Sequence, residues 1–154
     1  MQTSAPDLWQ AIADDASAES ALWRESLRAE DEREALPVFS PICGEPHALG
    51  LETVYEGYLA HYGRPRLFEP PDHDTALLLG DYLYAHGLVR IAASGDVDAV
   101  RQLAELISLC AHLRAEGSDG DGEAWVETAQ RLGEGAVDQG TVAEALTRHV
   151  ARFS

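Results

Sequence analysis

Apolar residues recur at three- and four-residue spacing along most of the chain. No run alternates with period two over a useful length. That periodicity is the signature of amphipathic helices. Ser4 and Asp7, with Pro6 between them, read as a helix start. Leu8, Trp9, Ile12 and Ala13 then supply one apolar face. Residues 18–36 place Leu22, Trp23 and Leu27 on a stripe, and the charged run 29–34 (AEDERE) reads as a solvated face. Residues 37–46 (PVFSPICGEP) are rich in Pro and Gly and read as a linker. The predicted organisation is an N-terminal helical arm over 1–36, a linker over 37–46 and a helical body over 47–154.

Within the body, Leu51, Val54, Tyr55, Tyr58, Leu59 and Tyr62 predict a helix over 47–62, with Gly63 as its terminator. Three prolines exclude helix from the turn 63–72. The next helix, 74–94, is apolar nearly all round and is expected to be central and buried. Gly80 and Gly87 lie seven apart on one side of it, with Ser94 following. A line of small residues, each glycine costing roughly 1 kcal/mol relative to alanine, implies another helix crossing closely there. Asp96 caps the following helix, whose stripe is Val100, Leu103, Ala104, Ile107, Cys110 and Ala111, and Gly117 ends it. A short helix near 123–132 is anchored by Trp125. Thr141 with Glu144 forms a capping-box pattern before a last helix holding Leu146, Val150 and Phe153. The fold class is all-α, a compact bundle of six to seven helices.

Composition narrows the partners. The 154 residues carry 27 acids against 11 arginines and no lysine, a net charge of −16. So acidic a chain lacks the basic face that nucleic acid or anionic lipid requires. Arginine as the sole basic residue, with abundant alanine, suggests a GC-rich bacterial source. The two cysteines, Cys43 and Cys110, have no metal-type spacing, and Cys110 reads as a small hydrophobe. The N-terminus lacks a signal-peptide pattern. The longest apolar segments are broken by Asp81, His86 and Arg90, short of a membrane span. The expected location is the cytoplasm.

The helical pair over 75–113 carries Gly80-Asp81-Tyr82-Leu83 in an apolar setting, then a Gly95-Asp96 break. Upstream, Gly63-Arg64-Pro65 reads as G-x-P. Over residues 63–110 this resembles the central helices of the trans-prenyltransferases, the polyprenyl diphosphate synthases. In that family a D-D-x-x-D motif and an R-R-G-x-P turn precede the Gly-Asp helix. The motif's acids bind magnesium ions that hold the allylic diphosphate. Here His61 and Tyr62 stand where the two arginines would be. An ungapped alignment puts Glu52 and Glu56 at the first and last aspartates, one helical turn apart and able to share a cation. A gapped one matches residues 51–54 and 59–61 to the segment before the motif, and the motif itself is then deleted. The gapped alignment explains more residues and makes Glu52 and Glu56 the wet face of an amphipathic helix. Downstream, the family's Gly-Glu pair is replaced by residues 110–113 (CAHL). Its Lys-Thr pair is echoed only by Glu127-Thr128-Ala129, without the lysine.

Asp81 is the acid to explain, because a carboxylate inside a buried helix is costly unless paired. Arg64 or Arg66 on the preceding turn is the expected partner; the other reading is a relic of an active-site wall. His73-Asp74 also matches the dyad of helical metal-dependent phosphohydrolases, with His47 or His61 and Asp81 or Asp119 as further ligands. A helix N-cap at Asp72 or Asp74 accounts for the same residues more simply. Tyr55, Tyr58, Tyr62, Tyr82 and Tyr84 either line an isoprenoid pocket or belong to the core.

The resemblance implies a prenyl synthase-like protein without the catalytic apparatus, a regulatory or small subunit of a polyprenyl synthase. No catalytic residue, metal ligand or cofactor is expected. The ligand-binding candidates are Glu52, Glu56, Arg64, Arg66 and Asp81. The partner is a catalytic prenyl synthase subunit in a heterodimer, or a second copy in a homodimer. The alternative is a metal-dependent enzyme: a residual prenyl diphosphate-binding catalyst using magnesium, or the His-Asp phosphohydrolase.

Overall fold

The computed structural model describes residues 7–133 and 137–153. Eight α-helices follow one another among them: α1 (Leu8–Glu19), α2 (Ala21–Ser26), α3 (Ser40–Cys43), α4 (Ala48–Tyr62), α5 (His73–Ala92), α6 (Val97–Ala115), α7 (Asp121–Leu132) and α8 (Gln139–Ala151). They form an all-α bundle, one helix more than the upper end of the expected number. No helix among the described residues is long and apolar enough to cross a membrane.

Five of these helices start at short polar side chains that accept otherwise orphaned backbone N–H groups. Asp7 caps α1, Ser20 caps α2, Asp72 caps α5 and Asp96 caps α6. Asp138 caps α8 and accepts from Thr141 N at 2.9 Å, so Thr141 sits inside the first turn and the expected Thr141–Glu144 capping box does not form. Ser4 lies outside the described residues.

The buried centre is α4, not α5. Twelve of the fifteen residues of α4 are buried. In α5 only one side is, and Leu78 and Val89 on the other are 55% and 62% exposed. A nearly uniform apolar sequence therefore marked a helix with an open flank. The expected close crossing does occur. A Cβ placed on Gly57 would lie 2.9 Å from the Gly80 carbonyl, and one on Gly87 would lie 3.1 Å from the Gly50 carbonyl. Gly50 and Gly57 thus face Gly87 and Gly80, and the two helices run antiparallel along a seam of four glycines. Gly63, at the end of α4, is needed for a similar reason: a Cβ there would meet Arg152 O at 3.0 Å and the Phe153 ring at 2.8 Å.

α4 divides two hydrophobic clusters. One joins Val38, Phe39, Ile42, Tyr55 and Tyr58 with Leu103, Leu106, Trp125 and Ala129. The other joins Ile12, Ala16 and Trp23 with Leu67, Phe68, Leu79 and Leu83. Of the arm expected over 1–36, the described part, from residue 7 on, thus places α1 and α2 against the 67–68 turn and α5. The segment 37–46, expected as a linker, contributes Phe39 at 0% exposure and the short helix α3 to the main cluster. The helix expected to extend over 18–36 stops at Ser26. Leu27 then pairs across an isolated bridge with Phe68, and only a 3-10 turn at Glu30–Glu32 follows.

Candidate functional site

Glu52 and Glu56 are one turn apart on α4, and both are fully buried. The expectation of a wet helix face is overturned. Between them lies Arg66, also at 0% exposure. Its Nη1 donates to Glu52 Oε1 at 2.6 Å, and its Nε donates to Glu56 Oε1 at 2.9 Å. Glu52 Oε2 accepts from the backbone of Val38 and Ser40, both at 3.0 Å. Glu56 Oε2 accepts from the backbone of Arg66 at 2.9 Å and Leu67 at 2.8 Å. The guanidinium also donates to Leu36 O and Glu52 O, and it lies 4.6 Å from the centre of the Trp9 ring. Burial opposes the charge of Arg66, but the two carboxylates outweigh it and hold the group cationic.

The pair therefore does share a cation, and the cation is an arginine. Every carboxylate oxygen faces an N–H donor, so the pair does not fit a magnesium ion, which needs oxygen lone pairs turned toward it. Two carboxylates on one guanidinium leave one net negative charge, spread over four backbone N–H groups. The fork of Arg66 also ties the 34–40 segment and the 63–72 turn to α4, so a local charge problem becomes a tertiary clamp.

A pocket of about 250 Å³ opens beside this clamp. Leu36, Val38 and Ala151 give it an apolar lining. Arg64, Arg66, Arg148 and Arg152 surround it together with Glu34. Arg152, at 6% exposure, donates through Nε and Nη2 to Arg64 O and through Nη2 to Pro65 O. Its Nη2 also meets Glu34 Oε2 at 2.9 Å, and this bond holds the Glu34 carboxyl below its ordinary range. Arg148 donates to Pro37 O at 2.8 Å and to Glu144 at 2.6 Å.

Of the five candidate residues, Glu52, Glu56 and Arg66 are brought together in the clamp, and Arg64 joins Arg66 only in the wall of the pocket. Asp81 is not. Its side chain is 69% exposed and sits 3.2 Å from His61 Nε2, a nitrogen that also lies 3.0 Å from Leu77 O. Neither Arg64 nor Arg66 pairs with Asp81, and its exposure removes the burial cost that made it a puzzle. The histidines also disperse. His47 is buried against Asp96, which links the starts of α4 and α6, while His73 and Asp74 are exposed in the first turn of α5. Asp72 is the N-cap of that helix, and its carboxylate accepts from Thr75 N at 2.8 Å. No group of three or more His, Cys, Asp or Glu among the described residues is placed to hold a metal ion.

A second polar cluster was not foreshadowed by any sequence motif. Asp121, at the start of α7, accepts from Tyr58 Oη at 2.6 Å and from Arg114 at 2.7 Å, and it lies 3.2 Å from His149 Nε2. His149 Nδ1 lies 2.7 Å from Tyr55 Oη. Partial burial pushes the Asp121 carboxyl upward. The hydrogen bonds from His149 and Tyr58, with the charge of Arg114, outweigh this and hold it well below the carboxylate range. Burial pushes both tyrosine hydroxyls upward. The cluster ties α4, α6, α7 and α8 together, and its tyrosines are core residues with satisfied hydroxyls. The only signal in the chain was positional, since His149 follows Leu146 by three on the inward side of α8.

Compared with known protein families, curated proteins and solved structures, the chain matches none.

Proposed function

We propose that this protein is a non-catalytic, prenyl diphosphate synthase-like helical subunit that acts by packing against a catalytic polyprenyl synthase subunit. The observation that carries the reading is the engagement of Glu52 and Glu56 by Arg66 inside the core. On the ungapped alignment these carboxylates stand in the place of the aspartate motif, and on the gapped one, which explains more residues, the motif is deleted altogether. A guanidinium in the position of the metal removes the charge pair that would activate a diphosphate leaving group. The open flank of α5 supports the binding half of the proposal. Leu78 and Val89 lie on the side of α5 away from the glycine seam, at 55% and 62% exposure. Apolar side chains gathered on one helix flank suit helix-on-helix association. A second copy of the chain would use the same flank.

The test is a condensation assay joined to co-purification. Purified protein with an allylic diphosphate, isopentenyl diphosphate and magnesium is expected to form no product. Co-expressed with a polyprenyl synthase from the same genome, it is expected to co-purify, and Leu78→Glu with Val89→Glu is expected to abolish that. Condensation by the protein alone overturns the non-catalytic half. Failure to retain the synthase overturns the partnership, and sedimentation as a dimer then assigns the flank to a second copy.

A further inference from the structure

Four of the eleven arginines in a chain of net charge −16 line one small pocket. That concentration is unexpected in so acidic a chain, and it does not depend on the non-catalytic reading. Arg152 is the arginine built for a ligand. Carbonyls of Arg64 and Pro65 fix its guanidinium, and its remaining charge-assisted bond goes to the carboxylate of Glu34. Arg64 Nε approaches the same oxygen at 3.9 Å. Glu34 is nearly half-exposed and comes from a segment held at its backbone by a bond from Glu34 N to Arg66 O. Its side chain can therefore leave while the pocket wall stays in place. The carboxylate of Glu34 acts as a resident stand-in ligand.

We infer that this pocket binds a small aliphatic monocarboxylate, whose carboxylate replaces that of Glu34 on Arg152 and whose chain lies over Leu36, Val38 and Ala151. The exchange of one carboxylate for another leaves the charge beside Arg152 unchanged. Charge count also sets the class. Arg66 is neutralised by Glu52 and Glu56, and Arg148 is engaged by Glu144. Arg64 and Arg152 share Glu34, so the four pocket arginines face the four carboxylates of Glu34, Glu52, Glu56 and Glu144, and a site so balanced suits a single negative charge better than a phosphate or diphosphate. At about 250 Å³ the pocket falls just under the usual range for drug-sized ligands, which suits a chain of a few carbons.

Calorimetry on the full chain with hexanoate, hexanol and inorganic phosphate tests this. Hexanoate is expected to bind with one-to-one stoichiometry, and the other two at least about tenfold more weakly, as the loss of one charge-assisted bond implies. Glu34→Gln, which removes the competing charge, is expected to tighten hexanoate by roughly three- to tenfold. Thr147→Trp, at an exposed pocket-lining position on α8, is expected to fill the pocket and abolish binding while the helical signal stays intact. Equal affinity for hexanol, weaker hexanoate binding by Glu34→Gln, binding that survives Thr147→Trp, or no saturable binding at millimolar hexanoate would each overturn the assignment.

Discussion

Arg66 shows how far one residue can depart from its ordinary behaviour. Arginine is mostly exposed, yet here it is fully buried because two carboxylates, two carbonyls and an aromatic ring meet its planar fork. Lysine cannot reproduce that geometry, so Arg66→Lys is expected to destabilise the protein in a urea titration nearly as much as a neutral substitution does. Asp121 carries a pH signature. Its folded pKa lies below the unfolded value of 3.8, so its contribution is present above that value and is lost as pH falls through the folded one. Asp121→Asn is therefore expected to lower the melting temperature at pH 7 and to matter progressively less below about pH 4. The thiols behave oppositely. Burial, with Glu52 beside Cys43 and Asp121 near Cys110, pushes both up to about 12. A thiolate is the reactive form, so a disulfide-exchange reagent is expected to label neither in the folded protein and both in urea.

Among the elements, the α4–α5 pair decides the architecture. Gly57→Ala forces a methyl group to within 2.9 Å of a backbone carbonyl that cannot swing aside. The expected cost is about 1–3 kcal/mol, typical of overpacking, although alanine is the better helix former. Leu78→Ala on the open flank is expected to change stability by less than about 0.5 kcal/mol, and paired thermal melts would show the contrast. The glycines of α5 were legible in the sequence because small residues seven apart on an apolar helix mark the line where another backbone comes close. Their partners Gly50 and Gly57 were not, because the tyrosines and glutamates between them imitate an amphipathic pattern. The periodicity of α4 misled for a related reason. Glu52 and Glu56 fit a polar face by spacing, but Thr53, Tyr55, Gly57 and the leucines leave no continuous polar stripe around them. A pair of acids on a helix without a polar stripe signals an internal cation. Which of the eleven arginines supplies it depends on the path of a turn with three prolines, and periodicity carries no information about that path.

At the scale of the molecule, the helices and most of their limits follow from local pattern, since caps and breakers act within a few residues. The joining of segments distant in sequence does not. The 37–46 segment looks like a linker by composition, yet Val38 and Ser40 donate to Glu52, and Phe39 stacks on Trp125 with ring centres 5.6 Å apart. The pocket depends on residues 34–38, 64–66 and 147–152 meeting, which again only the fold decides. The tertiary structure turns on the clamp being a structural ion triad and not a metal site. Urea unfolding of the native protein and of Arg66→Gln, each with and without magnesium, tests this most directly. Arg66→Gln is expected to lose about 3–5 kcal/mol, the usual cost of stranding a buried charge, and magnesium is expected to stabilise neither protein. A native midpoint that rises with magnesium, or an Arg66→Gln variant as stable as the native protein, would contradict the structural triad.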